Sequence, residues 1–171
     1  TPLARILLLA SFGLAFYLVG LGSPITARAA TNVVTNLNDS GPGSLRQAIL
    51  NASPGDTITF AVTGTITLTS GELLINKDLN LVGSGPLNNI ISGNLVGLER
   101  VINNSAKLTI SNLTLRSGTA TSGGGILNSG DLTITNSVLF DNRAQGEGGG
   151  IFNSGMLHIN NSTLDSNLTE L

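Results

Sequence analysis

The stretch GGGILNSGDLTITNSVLFDN (123–142) is followed by GGGIFNSGMLHINNSTLDSN (148–167), the same pattern displaced by 25 residues. A more divergent copy, VINNSAKLTISNLTLRSG (101–118), begins its Leu-x-Ile segment 24 residues before that of the first. Self-similarity at a fixed short period marks a stacked-repeat architecture. Within each copy the pattern has period two. Leu108 and Ile110, Leu132 and Ile134, and Leu157 and Ile159 are apolar, with Thr109, Thr133 and His158 between them. Such alternation predicts strands with one face toward a core. The segments are short and punctuated by Gly, Asn and Ser, so a coil of about 24 residues holds roughly three strands and no long helix. Parallel strands without crossover helices require the chain to coil on itself. The expected fold is all-β, a right-handed parallel β-helix.

Aligned positions recur around each coil. Asn104, Asn128 and Asn153 coincide, as do Asn112, Asn136 and Asn161, and Gly118, Asn142 and Asn167 share a third position. Asn or Gly at a bend suggests a left-handed backbone, which these residues tolerate best. Stacked Asn side chains can also hydrogen-bond in ladders along the axis. These residues are therefore read as architecture, with the bend placed at Gly118, Asn142 and Asn167.

Upstream, DTITFAV (56–62), GTITLTS (64–70) and DLNLVGSG (78–85) carry the same alternation at less regular spacing and read as the first coils. Before them Ser44 and Gln47 form a capping-box pattern, with Leu45, Ala48 and Ile49 on one face of a short helix that ends at Ser53-Pro54-Gly55. Such a helix can plug the open end of a solenoid and block edge-to-edge pairing. At the N-terminus, Arg5 precedes an apolar run from Ile6 to Leu21, and Ala27-Arg28-Ala29 supplies small residues for cleavage. This predicts a secretory leader cut after Ala29. The expected organisation is residues 1–29 leader, 30–55 cap segment with a helix, and 56–171 coils. A missing initiator Met and a finish inside a repeat suggest a fragment.

Charged residues make up 11% of the 171, and Asn, Ser, Thr and Gly supply the remaining polarity. Residues 30–171 carry six basic and ten acidic side chains, a net −4, which argues against nucleic acid. With no cysteine, neither disulfides nor thiolate metal sites are available. Five Phe, one Tyr and no Trp imply a thin aliphatic core.

Two further motifs carry a resemblance. GSLRQAI (43–49), followed by GDTITF (55–60), resembles the CSLREA-type N-terminal segment of bacterial surface β-helix proteins, with Gly43 in place of the cysteine and Gln47 in place of the Glu. The GGGI elements (123–126 and 148–151) and the Leu-x-x-Asn elements (139–142 and 164–167) resemble the GGAI and FxxN repeats of polymorphic outer membrane proteins. The resemblance implies a secreted or cell-surface, adhesin-like module. It would have no catalytic residues, cofactor or metal in this part. Extracellular glycans or other surface proteins are its expected partners, membrane contact would come only through the leader or a missing anchor, and the module would be monomeric.

Pectate lyases and polygalacturonases share the expected fold, so the alternative is the N-terminal part of a carbohydrate-active enzyme, a polysaccharide lyase or glycosidase. Glycosidase chemistry needs paired carboxylates. A calcium site needs several carboxylates converging, for which Asp141, Glu147 and Asp165 are the candidates, with Arg116 and Arg143 as basic partners. His158, the single histidine, aligns with Thr109 and Thr133 and is read as outward-facing. GEGGG (146–150) fits neither a phosphate loop nor a calcium nonapeptide and is read as a tight loop.

Overall fold

A computed structural model describes residues 29–94 and 99–170. The leader expected over residues 1–29 therefore lies outside the described residues, apart from Ala29. The chain is a parallel β-solenoid of stacked coils with one short helix.

Six strands form the widest sheet: Thr31–Val34, Asp56–Phe60, Leu79–Val82, Lys107–Ser111, Asp131–Thr135 and Met156–Asn160, each parallel to the next. A five-stranded sheet stacks Gly64–Thr67, Asn89–Ser92, Thr114–Arg116, Val138–Phe140 and Thr163–Asp165. A four-stranded sheet stacks Leu73–Ile75, Ile102–Asn104, Ile126–Asn128 and Ile151–Asn153. The later coils add a fourth strand of two residues, at Thr119–Ala120, Arg143–Ala144 and Leu168–Thr169, beyond the three expected from the repeat.

Period-two alternation turns one side of every strand inward. The register stacks Ile58, Leu81, Ile110 and Ile134 in one column, and Ile66, Ile91, Leu115 and Leu139 in another. Leu73, Ile102 and Ile126 make a third. All of these side chains are buried, so the core is a narrow aliphatic shaft running the length of the stack. Close coil spacing explains the GGG runs. A Cβ at Gly124 would strike the backbone of Arg143, and one at Gly149 the backbone of Leu168.

The N-terminal end of the shaft is closed by the helix Leu45–Asn51, whose Leu45, Ala48 and Ile49 join the core. Ser44 is its N-cap, and its Oγ accepts from the Gln47 N–H at 3.1 Å. The second half of the expected capping box does not form. The Ser44 N–H already donates to the Gly41 carbonyl, so the Gln47 amide is free to donate to Asn51 Oδ1 one turn on, at 2.8 Å. Within residues 30–55, Thr31–Val34 is itself the first strand of the wide sheet.

Candidate functional site

The six-stranded sheet has the most strands of any sheet among the described residues, and its outward face is regular. Its register places Thr57, Asn80, Thr109, Thr133 and His158 in one column and Thr59, Val82, Ser111, Thr135 and Asn160 in the next. Parallel strands lie about 4.8 Å apart, so hydroxyl and amide groups repeat at that interval along the axis. Beside them Lys107, Asp131 and Met156 form a third column, with opposite charges on adjacent coils. His158 is exposed and continues the Thr109–Thr133 column. Such a face can hydrogen-bond a long, extended polymer.

The acidic candidates are dispersed. Asp165 stands beside Phe140 and in the same outward column as Arg116, two coils away. Asp141 sits in a bend with positive φ, where its Oδ1 accepts from Arg143 Nη2 at 3.2 Å. Glu147 lies in the exposed loop before Gly148. Among the described residues no group of three or more His, Asp or Glu is placed to hold a metal ion, so the structure does not bring Asp141, Glu147 and Asp165 together as one.

The three Asn/Gly columns play different parts. Asn104 Nδ2 donates to Asn128 Oδ1 at 2.7 Å, and Asn128 Nδ2 to Asn153 Oδ1 at 2.6 Å. Asn104 and Asn128 are fully buried, and each also bonds the backbone two residues ahead, holding the bend shut. Asn112, Asn136 and Asn161 have φ of 58°, 49° and 45°, and the exposed Asn161 donates to Asn136 Oδ1.

At the third column the left-handed residue is the preceding one. Ser117, Asp141 and Ser166 have positive φ, whereas Gly118, Asn142 and Asn167 do not. The reason is in the side chains. Asn142 Oδ1 accepts from the Gly118 N–H at 3.0 Å, and its Nδ2 reaches the Leu115 carbonyl and Asn167 Oδ1. Asn142 thus points inward to bridge three coils, which leaves the tight turn to its neighbour.

A polar network at the capped end went unforeseen from sequence. Arg46 donates to Asp39 Oδ1 and to the carbonyls of Gly71 and Glu72 at 2.6–2.8 Å. Glu72 in turn accepts from Arg100 Nη1 and Asn103 Nδ2, while Arg100 also reaches the Ser122 and Gly123 carbonyls. Burial alone would raise the Asp39 pKa, but hydrogen bonds from Ser70 and Arg46 and the Arg46 charge outweigh it and lower it. Beside this network a cavity of about 210 Å³ has apolar walls from Ile49, Leu50, Leu73 and Leu74. Small-molecule pockets usually run to several hundred Å³, and the charges of Arg46 and Glu72 are paired although the buried Arg46 Nε has no partner, so its chemistry is that of a structural clamp.

No family model matches the chain, and no solved structure matches it significantly. A stretch of 51 residues, 30% of this chain, is 43% identical to a protein described as "Probable pectate lyase C" from Aspergillus flavus. A protein of the same description from Aspergillus oryzae matches to the same extent. The matched stretch is 12% of each relative's length. This similarity overturns the expectation of a non-enzymatic, adhesin-like module and favours the carbohydrate-active alternative. That expectation rested on the resemblance to surface β-helix repeats, whereas the 51-residue stretch is similar to proteins described as pectate lyases. The chain is therefore a parallel β-solenoid with limited similarity to pectate lyases.

Proposed function

We propose that this chain is the N-terminal part of an exported carbohydrate-active β-helix protein, acting as a polysaccharide lyase on an acidic, uronate-type glycan. The observation that carries the reading is the 51-residue similarity to the Aspergillus proteins described as pectate lyases, on a chain folded as a parallel solenoid. An extended glycan needs a long, flat groove or face lined by hydrogen-bonding groups. The Thr57–His158 and Thr59–Asn160 columns offer that face, and Lys107 on the same sheet and Arg116 on the next are cations for uronate carboxylates. Lyase cleavage requires a base to take the proton beside the carboxylate and positive charge to stabilise the anion that forms. To Lys107 and Arg116, which stand on different sheets, we assign the holding of separate uronate carboxylates, and to the threonine columns the seating of the polymer.

The test is incubation of the full-length exported protein with polygalacturonate and with a neutral glucan, with and without a calcium chelator. The expected result is an unsaturated, ultraviolet-absorbing product from polygalacturonate alone, with Arg116→Ala or Lys107→Ala raising KM. Saturated chain ends would mean hydrolysis, and binding without turnover would mean a display module; either overturns the lyase reading.

A further inference from the structure

We propose that Asp56 is the receptor for a new amino terminus made by cleavage of the chain between Ala29 and Ala30. The sequence motif and the structure meet at that bond. Ala27-Arg28-Ala29 follows the apolar run and presents small residues to an export peptidase. Ala30, the next residue, is fixed by the coil beneath it. Its N–H donates to Asp56 Oδ1 at 2.7 Å, and its carbonyl accepts from the Thr57 N–H at 2.9 Å.

Asp56 is an anomaly in its own column. Its register partners in the following coils are Leu79, Leu108, Leu132 and Leu157, so a carboxylate stands where every later coil carries an inward leucine. It is 5% exposed. A buried carboxylate in such a position is costly unless its charge is matched. The remaining donors are the Ser53 N–H at 2.9 Å and Asn32 Nδ2 at 3.0 Å, both neutral. Hydrogen bonds from the Ser53 and Ala30 N–H groups, then from Asn32, hold the Asp56 carboxyl below its usual range, with a smaller contribution from Lys77, whose ammonium is itself bonded to the carbonyls of Leu50 and Ala52.

Hydrolysis of the Ala29–Ala30 bond consumes one water. Ala29 leaves with the carboxylate, and the Ala30 nitrogen becomes an amine that takes up a proton at neutral pH. The hydrogen bond already present then becomes a charge-assisted one between ammonium and carboxylate. Processing would thus fasten the first strand of the wide sheet and complete the N-terminal coil.

The experiment uses the exported full-length protein and no glycan, so its outcome is separate from that of the lyase reading. Mass analysis should place the N-terminus at Ala30. The paired carboxylate raises the amine pKa, so acylation of the α-amine should be about tenfold slower in the folded than in the urea-unfolded protein, the effect of one pKa unit. Asp56→Asn should abolish that protection. Should Asp56→Asn fail to fold, Asp56→Leu restores the leucine column and should fold with an unprotected amine. A terminus elsewhere, an amine equally reactive folded and unfolded, or protection that survives in either variant would overturn the proposal.

Discussion

Ile134 and Leu139 are completely enclosed, whereas Ile159 and Leu164, their register partners one coil further on, are 39% and 45% exposed. The two coils are close copies in sequence, so the difference comes from their neighbours. Residues 131–142 are covered by a coil on each side; residues 156–167 have described residues on one side only. At the opposite end the helix Leu45–Asn51 takes the place of a neighbouring coil and buries Leu45 and Ile49. In a solenoid each coil borrows its burial from the next, and energetic effects of the same substitution should differ from coil to coil.

The largest contrast is expected in the core. Leu139→Ala should cost about 2–5 kcal/mol, the range for truncating a fully buried leucine. For residues 1–171 taken alone, where Leu164 is 45% exposed, Leu164→Ala should cost roughly half that or less, in proportion to the area it buries. Denaturant melts of the two variants would check this, and equal losses would remove the neighbour argument.

Next comes the asparagine ladder. Asn128→Ala removes bonds to Asn153, Met156 and Gly130 and takes away one of the two acceptors of the buried Asn104 amide, leaving the Ala106 carbonyl. It should cost about 2–3 kcal/mol, the sum of several buried hydrogen bonds at roughly 0.5–1.5 kcal/mol each. For residues 1–171 taken alone, in which Asn153 is exposed, Asn153→Ala should cost under about 1 kcal/mol.

A sharper comparison lies within one bend. Asn142 contributes through side-chain hydrogen bonds and not through a left-handed backbone, so Asn142→Gly and Asn142→Val should both destabilise, by about 1–3 kcal/mol. Ser117→Gly should instead stabilise by up to about 1 kcal/mol, because its positive φ strains any residue with a Cβ. Tolerance of Asn142→Gly together with harm from Ser117→Gly would move the bend by one residue.

The smallest effect is electrostatic. Asp39 has a folded pKa below its ordinary value of 3.8. A depressed carboxylate contributes stability that is present above its unfolded pKa and lost as pH falls through the folded one. The capped end should therefore loosen in acid, below about pH 4, and Asp39→Asn should flatten that dependence. Hydrogen exchange at residues 45–51 across this range would read it.

The repeat was legible because residues 101–167 keep a step of 24 to 25, so aligned Asn and Leu positions fall into the stacking register directly. The helix was legible through Ser44 and the spacing of Leu45, Ala48 and Ile49. Earlier coils hid their order. Between Asp56 and Leu79 the step is 23 residues, and between Leu79 and Leu108 it is 29, so Leu73–Ile75 and Asn89–Ser92 shared no visible period with their partners. Strands of three or four residues are too short to reveal alternation by themselves. The Arg46–Asp39 and Arg100–Glu72 pairs follow no spacing rule, because loop residues Asp39, Glu72 and Arg100 make them, the first with the helix residue Arg46. Asp56 was hidden for a different reason. It lies two residues before Ile58, on the inward side of its strand, but an acidic residue at a strand start reads as surface.

The coil-on-coil register is the claim on which the rest depends, and the absence of cysteine makes it directly measurable. Thr109 and Thr133 are partners on adjacent outward positions, and Thr109 and Thr135 are diagonal. Cysteines can bridge when their Cα atoms are about 4.4–6.8 Å apart, which adjacent parallel strands satisfy and diagonal positions do not. Thr109→Cys with Thr133→Cys should therefore oxidise rapidly to a disulfide in the folded protein, while Thr109→Cys with Thr135→Cys should stay reduced. Faster cross-linking of the diagonal pair, or equal rates for both, would contradict the stacked register and with it the solenoid described above.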